Sequence, residues 1–436
     1  MPEPHAMRAA AREIFLHALA EAGIEKAFAR HLHYQRGVLR VCDDLYDTSS
    51  YSRVFVVSFG KAGRRMAETL FGQMGMTVEG IIADPNPQSH QLSGYRYFAG
   101  SHPHPNAESV KAADAILKSL RGLDSRALVL FLISGGGSSV VEKPVDPEIS
   151  LEDLIATYRA LVHSGAPIAR INSVRKHLSA VKGGRMAQAA GNAQQVSVLV
   201  SDVPENSLES LSSGPTMPDS STTEDCYRIA LEYGMLENFP ASVRDLFEQR
   251  ALEETPKQGD PAFARSRWWN ILSNATAEKA AAAAATEHGF AAEIDHSCDD
   301  WKYDKAADYL LDRLLRLRQG VSKACIISGG ELTVKVTGNE GQGGRNQHFV
   351  LYCAGKIAGK NITVLSAGTD GIDGNSPAAG GMVDGTTIAR AKSTGLDVAA
   401  HIRSFNSFPL LERLGDSIHT GPTGNNVRDL RVLLAY

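Results

Sequence analysis

The chain has 436 residues, enough for two or three domains at about 150 residues each, and a length that buries a large core without disulfide help. Hydrophobic residues make up 43% and charged residues 22%, ordinary globular values that exclude global disorder. Lys plus Arg number 45 against 49 Asp plus Glu, a net charge of −4, which excludes the chain-wide basic field that bulk nucleic-acid binding needs.

Residues 1–40 read as helix, rich in Ala, Leu, Glu and Arg, with Ile14, Leu16 and Leu19 on a repeating apolar face. Val54-Phe55-Val56-Val57 is a short β-branched run. It meets Ser58-Phe59-Gly60-Lys61-Ala62-Gly63, and a helical stretch comes next over 64–70. Residues 80–84 predict a second strand. The loop 99–106 opens a helix over 107–120, with Asn106 as its N-cap. Residues 127–133 are apolar on both faces, as a central parallel strand requires, and run into Ser134-Gly135-Gly136-Gly137-Ser138-Ser139. Helices are predicted over 151–164 and 172–190, and a strand over 195–200 that ends at Ser201-Asp202-Val203-Pro204. Polar and glycine residues therefore gather at strand C-termini, the ligand-binding edge of open α/β sheets.

A polar stretch over 253–260 reads as a linker, which divides the chain into domains 1–250 and 251–436. Helices are predicted over 275–288 and 305–318. Beyond Cys325-Ile326-Ile327, short strand-like pieces alternate with glycine loops: Ser328-Gly329-Gly330-Glu331, 338–344, 368–374 and 421–424. The five cysteines are scattered with no CxxC pair and read as reduced thiols of a cytoplasmic protein. No apolar run approaches the ~20 residues of a membrane span, and the first residues hold no apolar core of a secretory signal.

Several loops have the chemistry of an anion site. Ser134 to Ser138 exposes backbone N–H groups and two hydroxyls. A helix starting there would suit a phosphate or carboxylate, and a plain tight turn is the alternative. Lys61 comes after Gly60 at a strand end, where its ammonium can hold a phosphoryl group or a carboxylate, or its stem can merely snorkel. Arg345, in Gly343-Gly344-Arg345-Asn346-Gln347-His348, presents a fork suited to phosphate oxygens, or to a structural ion pair. Asp370 and Asp373 lie among glycines and a threonine, a hard-oxygen set suited to Mg2+, although Asp-Gly turns also form without metal. Asp202 and Glu331 are further acids. Arg175 and Lys176 precede His177 in what reads as a basic helix start, able to meet an acidic ligand or to form a solvated face. His102 and His104 alternate with prolines, and no Cys/His cluster supports zinc there. The chain contains neither GxxxxGK[ST] nor GxGxxG, so P-loop and dinucleotide readings lose their usual support.

Taken together, Ser58-Phe59-Gly60-Lys61-Ala62, Gly100-Ser101-His102-Pro103, the Ser134 loop, Asn172 to Ser179, Ser201 to Pro204, Ser213-Gly214-Pro215-Thr216, Gly329-Gly330-Glu331, Gly343 to Gln347, Gly368 to Gly374 and Thr420 to Gly424 resemble the glycerate 2-kinase family. The resemblance spans nearly the whole chain. It implies a two-domain α/β fold. The large N-terminal domain is Rossmann-like and three-layered. The smaller C-terminal one carries the segment called MOFRL in that family, from about 322, and the active site lies in the cleft between them. It implies ATP-dependent phosphorylation of D-glycerate at the 2-hydroxyl with a divalent metal. The family's catalytic lysine and arginine match Lys61 and Arg345.

The expected site has Lys61, Arg345 and Asp202 as catalytic groups. Gly60, Ser134, Gly135, Gly136, Gly137, Ser138, Arg175, Lys176, Glu331 and Asn346 bind substrate or ATP, and Asp370 and Asp373 hold Mg2+. Partners are a small hydroxy acid and ATP, with no nucleic acid and no membrane, and a homodimer is an assembly open to it. Two residues depart from the family pattern: Glu205-Asn206 stands where Gly-Asp is expected, and His348 where an acid or amide is expected. They leave another small sugar acid as an alternative substrate. An NAD(P)H-dependent hydroxypyruvate reductase and a non-catalytic sugar-acid binder are the remaining alternatives.

Overall fold

The computed structural model describes residues 4–75, 78–86, 90–337 and 341–436; Gly338, the first glycine of one predicted loop, lies outside the described residues, as do residues 1–3 of the first predicted helix. The chain divides into two compact units, Ala27–Ile271 and a second built from Met1–Lys26 with Leu272–Tyr436.

The larger unit opens with a three-stranded antiparallel ribbon, β1 (Leu32–Gln35), β2 (Val38–Val41) and β3 (Asp44–Asp47). The helix expected over 1–40 therefore stops early, as Pro4–Glu21 and Ile24–His31. Arg36 and Gly37, at φ 52° and 84°, form the two-residue turn that joins β1 to β2 as a hairpin.

The main sheet of this unit contains β4 (Arg53–Phe59), β5 (Glu79–Ala83), β6 (Tyr95–Phe98), β7 (Ala127–Ser134), β8 (Gln194–Val200) and β9 (Ser266–Leu272), in the order β6-β5-β4-β7-β8-β9. The five strands β6 to β8 in that order are mutually parallel. All eight residues of β7 are buried, as its unbroken apolar run predicts. The order is that of a doubly wound Rossmann-type sheet, whose direction of winding reverses between β4 and β7, so a crevice opens at their C-terminal ends. Asn106 caps the helix Ala107–Arg121 with a capping box. The helix expected over 172–190 is instead two, Ile168–His177 and Arg185–Ala190, and Gly183 and Gly184, both at positive φ, lead into the second.

In the smaller unit, β10 (Ala291–Ile294), β11 (Ala324–Gly329), β12 (Ile362–Gly368), β13 (Gly380–Asp384), β14 (Ser417–Ile418) and β15 (Asp429–Ala435) form a sheet in the order β10-β11-β15-β12-β13-β14. β10 and β11 are parallel and the other pairs antiparallel. β15 lies inside this sheet with all seven residues buried. The helix Pro4–Glu21 packs on Asn274–Glu287 through Met7, Ala10, Ala11, Ile14, Phe15 and Ala18, a helical stripe almost wholly removed from solvent. Arg8 of that helix reaches Asp384 at 2.9 Å and Asp416 at 2.6 Å.

The two compact units are drawn differently from the expected division at residue 250. The first 26 residues belong with the C-terminal part, where their apolar stripe is buried. The stretch 253–260 lies within the larger unit and leads into β9, the edge strand of its sheet.

Candidate active site

At the β4/β7 crevice the glycines let two loops meet. Lys61 donates its backbone N–H to the Gly135 carbonyl at 2.9 Å, and the Ala62 N–H reaches the Ser134 hydroxyl at 3.0 Å. Gly60 sits at φ 108°, and a Cβ there would lie 2.4 Å from the Ser134 carbonyl oxygen, so only glycine fits. A Cβ on Gly135 would fall 1.7 Å from the Asp202 carboxylate, and one on Gly136 3.0 Å from both the Lys61 stem and the His102 ring. The carboxylate of Asp202 and the stem of Lys61 therefore pack on consecutive glycines. Burial, with the nearby charge of Lys61, lowers the pKa of His102. Gly137 is closed in by the Ser212 hydroxyl and the Phe59 ring.

The helix after this loop is a single turn, Gly137–Val140, too short for much of a helix dipole. Any anion there depends on loop N–H groups, Ser138 and Lys61. The loop is held from behind. The Ser212 hydroxyl donates to the Ser134 carbonyl at 2.8 Å, Ser138 and Ser213 share a hydrogen bond at 2.9 Å, and the Lys182 ammonium donates to the Ser138 carbonyl at 2.8 Å. Lys182 is itself buried against Glu142, which also accepts from the hydroxyls of Tyr158 at 2.7 Å and Ser179 at 2.6 Å. None of Lys182, Glu142 or Ser212 is evident from sequence, since no motif singles them out.

Arg175 and Lys176 do not join this cluster as ligand groups. They end the helix Ile168–His177 rather than start one, and suit its C-terminal dipole. Lys176 is buried on Asp219 at 3.0 Å, and the Arg175 guanidinium lies 4.9 Å from the Tyr158 ring centre. His177 is buried between the Ser173 carbonyl and the Glu254 carboxylate, each at 2.8 Å.

In the smaller unit Arg345 opens the helix Arg345–Ile357 and meets Asp429 through two hydrogen bonds, 2.6 and 3.0 Å, with Glu331 at 3.1 Å. Burial opposes its charge, but the Asp429 carboxylate more than restores it and holds the pKa above the ordinary value. Asp429, 84 residues away in sequence, is a partner that local spacing does not reveal.

Asp373 accepts four N–H groups: the backbone and side-chain amides of Asn346 at 3.1 and 3.2 Å and of Gln347 at 2.9 and 3.0 Å. Asn346 also accepts from Ser366 at 2.5 Å, so it braces the fold. The Gly329, Gly330 and Glu331 amides are taken by Glu278, Asn274 and Asp299. Asp370 accepts the Ile372 N–H at 3.0 Å. With both oxygens of Asp373 filled, Asp370 and Asp373 do not fit the expected Mg2+ pair. Among the described residues no group of three His, Cys, Asp or Glu side chains is placed to hold a metal ion.

The five cysteines are unpaired. No helix among the described residues is long and apolar enough to cross a membrane.

The fold and the β4/β7 crevice define a two-domain α/β protein of the architecture that joins a DUF4147 domain, a domain of unknown function matched over residues 10–248, to a MOFRL family domain matched over 324–429. The chain belongs to the glycerate 2-kinase family. It is 36% identical to a D-glycerate 2-kinase of Thermotoga maritima, with 87% of this chain and 89% of that protein covered. Human glycerate kinase is 31% identical over 87% of this chain and 84% of its own. A putative hydroxypyruvate reductase of Agrobacterium vitis is 35% identical, covering 88% and 87%. A solved glycerate kinase structure from Thermotoga maritima matches with a TM-score of 0.86 and 32% identity, over 99% of this chain and 100% of that one.

Proposed function

We propose that this protein is a kinase that transfers the γ-phosphoryl group of ATP, brought as its Mg2+ complex, to the 2-hydroxyl of D-glycerate. The observation that carries the reading is the crevice cluster, where Lys61, Asp202 and the Ser134–Ser138 loop share two adjacent glycines. Phosphoryl transfer needs positioning and charge neutralisation more than covalent help. Lys61 supplies positive charge to the transferring group, and Arg345 is the second catalytic cation that the family match implies. The loop N–H groups and Ser138 hydroxyl hold the substrate carboxylate, and Asp202 takes the proton of the attacking hydroxyl. Mg2+ is carried by the nucleotide phosphates with most of its waters, a mode that needs few protein carboxylates.

The test is ADP release from Mg-ATP with a panel of hydroxy acids, and then phosphorus NMR of the product. D-glycerate should be the best acceptor and 2-phosphoglycerate the product. Lys61→Ala and Arg345→Ala should each lower kcat by roughly 100- to 1,000-fold, the scale of one charge-stabilising donor, with folded circular dichroism spectra. Near-normal turnover in both variants would overturn the roles given to them. Hydroxypyruvate with NADH should give no change in absorbance.

A further inference from the structure

Ser213-Gly214-Pro215-Thr216 is a motif to which the proposed reaction assigns no task, and Ser212 precedes it. The backbone here is unusual. Ser212 has φ 49° and ψ 26°, Ser213 has φ 60° and Gly214 φ 60°, three consecutive residues in the left-handed region. Glycine adopts that region freely, whereas a side chain makes it costly. Among the described residues no other two adjacent non-glycine residues both take positive φ. Both serines are also buried, at 7% and 2% exposure. The turn is pinned from outside, since the Gly183 and Gly184 N–H groups donate to the Ser213 and Gly214 carbonyls at 3.0 and 2.8 Å. Strain of this kind persists where the surrounding fold over-determines it, and it collects at functional sites.

What the strained turn delivers is two hydroxyls to one loop. Ser212 donates to the Ser134 carbonyl at 2.8 Å, a contact that closes on backbone. Ser213 makes a different contact. Its hydroxyl lies 2.9 Å from that of Ser138, and neither hydroxyl has another hydrogen-bond partner among the described residues. A hydroxyl owns one hydrogen and accepts through its lone pairs. A carboxylate only accepts, so a Ser138 that holds one must give it that single hydrogen. Ser138 then accepts from Ser213, and Ser213, shut away from solvent, has no rival acceptor for its own hydrogen. The three groups form a relay in one direction, Ser213 to Ser138 to carboxylate, in which each bond polarises the next.

We propose that Ser213 is a positioning residue: it donates to Ser138 and so turns the Ser138 hydrogen towards the carboxylate of the hydroxy acid. The left-handed backbone at residues 212 and 213 is kept because it delivers that hydroxyl. The inference rests on the reading that the Ser134–Ser138 loop holds the substrate carboxylate.

The experiment separates the hydroxyl from the strain. Ser213→Gly removes the hydroxyl and relaxes the backbone, and Ser213→Ala removes the hydroxyl and keeps the strain. Both should raise the Kd for D-glycerate by calorimetry, and its KM, roughly tenfold, the worth of one hydrogen bond, and leave the KM for ATP within about twofold. The thermal transition should fall in Ser213→Ala alone. A Kd that rises only in the less stable variant, or in neither, marks a structural serine and overturns the proposal. Ser138→Ala should also raise the Kd, and adding Ser213→Gly to it should change nothing more, because the relay has already lost its middle member. Additive losses would overturn the proposal as well. D-glycerate binding by the unaltered protein without ADP release would sink the kinase reading and leave the relay decided by Kd. ADP release with the Kd unmoved in both Ser213 variants would do the reverse, and an unaltered protein that binds no D-glycerate would sink both.

Discussion

The first turn of the helix Arg345–Ile357 places groups with opposite responses to acid side by side. Burial pushes Asp373 up to about 6, with the Asp429 charge adding and four N–H donors opposing. Its contribution to stability is present below the unfolded value near 4 and is lost as pH rises through 6. His348 behaves the other way. Burial lowers it to about 4, so the unfolded chain takes up the proton first as pH falls. Stability held above pH 6.5 is lost progressively towards pH 4, by up to about 3 kcal/mol. His348→Phe should therefore flatten the fall in urea midpoint between pH 6.5 and 4.5. An unchanged slope would mean that His348 does not titrate abnormally. The arrangement also shows why Asp373 misleads as a metal ligand. Its Asp-Gly setting is legible in sequence, but the two amide side chains that saturate it come from the first turn of the helix Arg345–Ile357.

Among the elements, those written in local sequence are found where expected. Asn106 accepts the Ser109 N–H at 2.8 Å and the Ser109 hydroxyl accepts the Asn106 N–H at 3.2 Å, so the cap read from the sequence is real. Asn106→Ala should cost about 1 kcal/mol in urea unfolding, and a loss below a few tenths would show the cap to be idle. The run at β7 and the helices Leu151–His163 and Tyr303–Gly320 are equally local readings, fixed by apolar periodicity. What escapes is set by distant partners or by backbone dihedrals. The β1–β2 hairpin hides in helix-forming composition until the Arg36-Gly37 turn is recognised. Gly183-Gly184, both at positive φ, keeps the helix Arg185–Ala190 from extending back towards His177 as the alanine- and arginine-rich composition suggests. In the site, Lys61 and Arg345 stand out because glycines flank them. Lys182, Glu142 and Asp429 do not, because their roles arise only when separate elements pack together.

At the scale of the whole molecule, one unit is inserted into the sequence of the other. Residues 1–26 are separated in sequence from the rest of the smaller unit by the whole of the larger one, yet Ile14 and Phe15 are fully buried in the smaller unit. Burying such side chains is worth about 2 kcal/mol each. A chain lacking residues 1–26 should lose several kcal/mol from that unit and lower its thermal transition by roughly 10 °C. A synthetic 1–26 peptide should restore part of the loss. An unshifted transition would refute the assignment of this helix to the unit's core.

The interior position of β15 bears on vectorial synthesis. The larger unit has every strand of its main sheet once β9 has left the ribosome. The smaller unit cannot zip β11 to β12 until β15 emerges to lie between them. Its opening helix must wait through the translation of the entire inserted unit before its own core exists. Nascent chains of this protein therefore carry a bare apolar helix for most of their elongation, a natural target for chaperones that bind such faces.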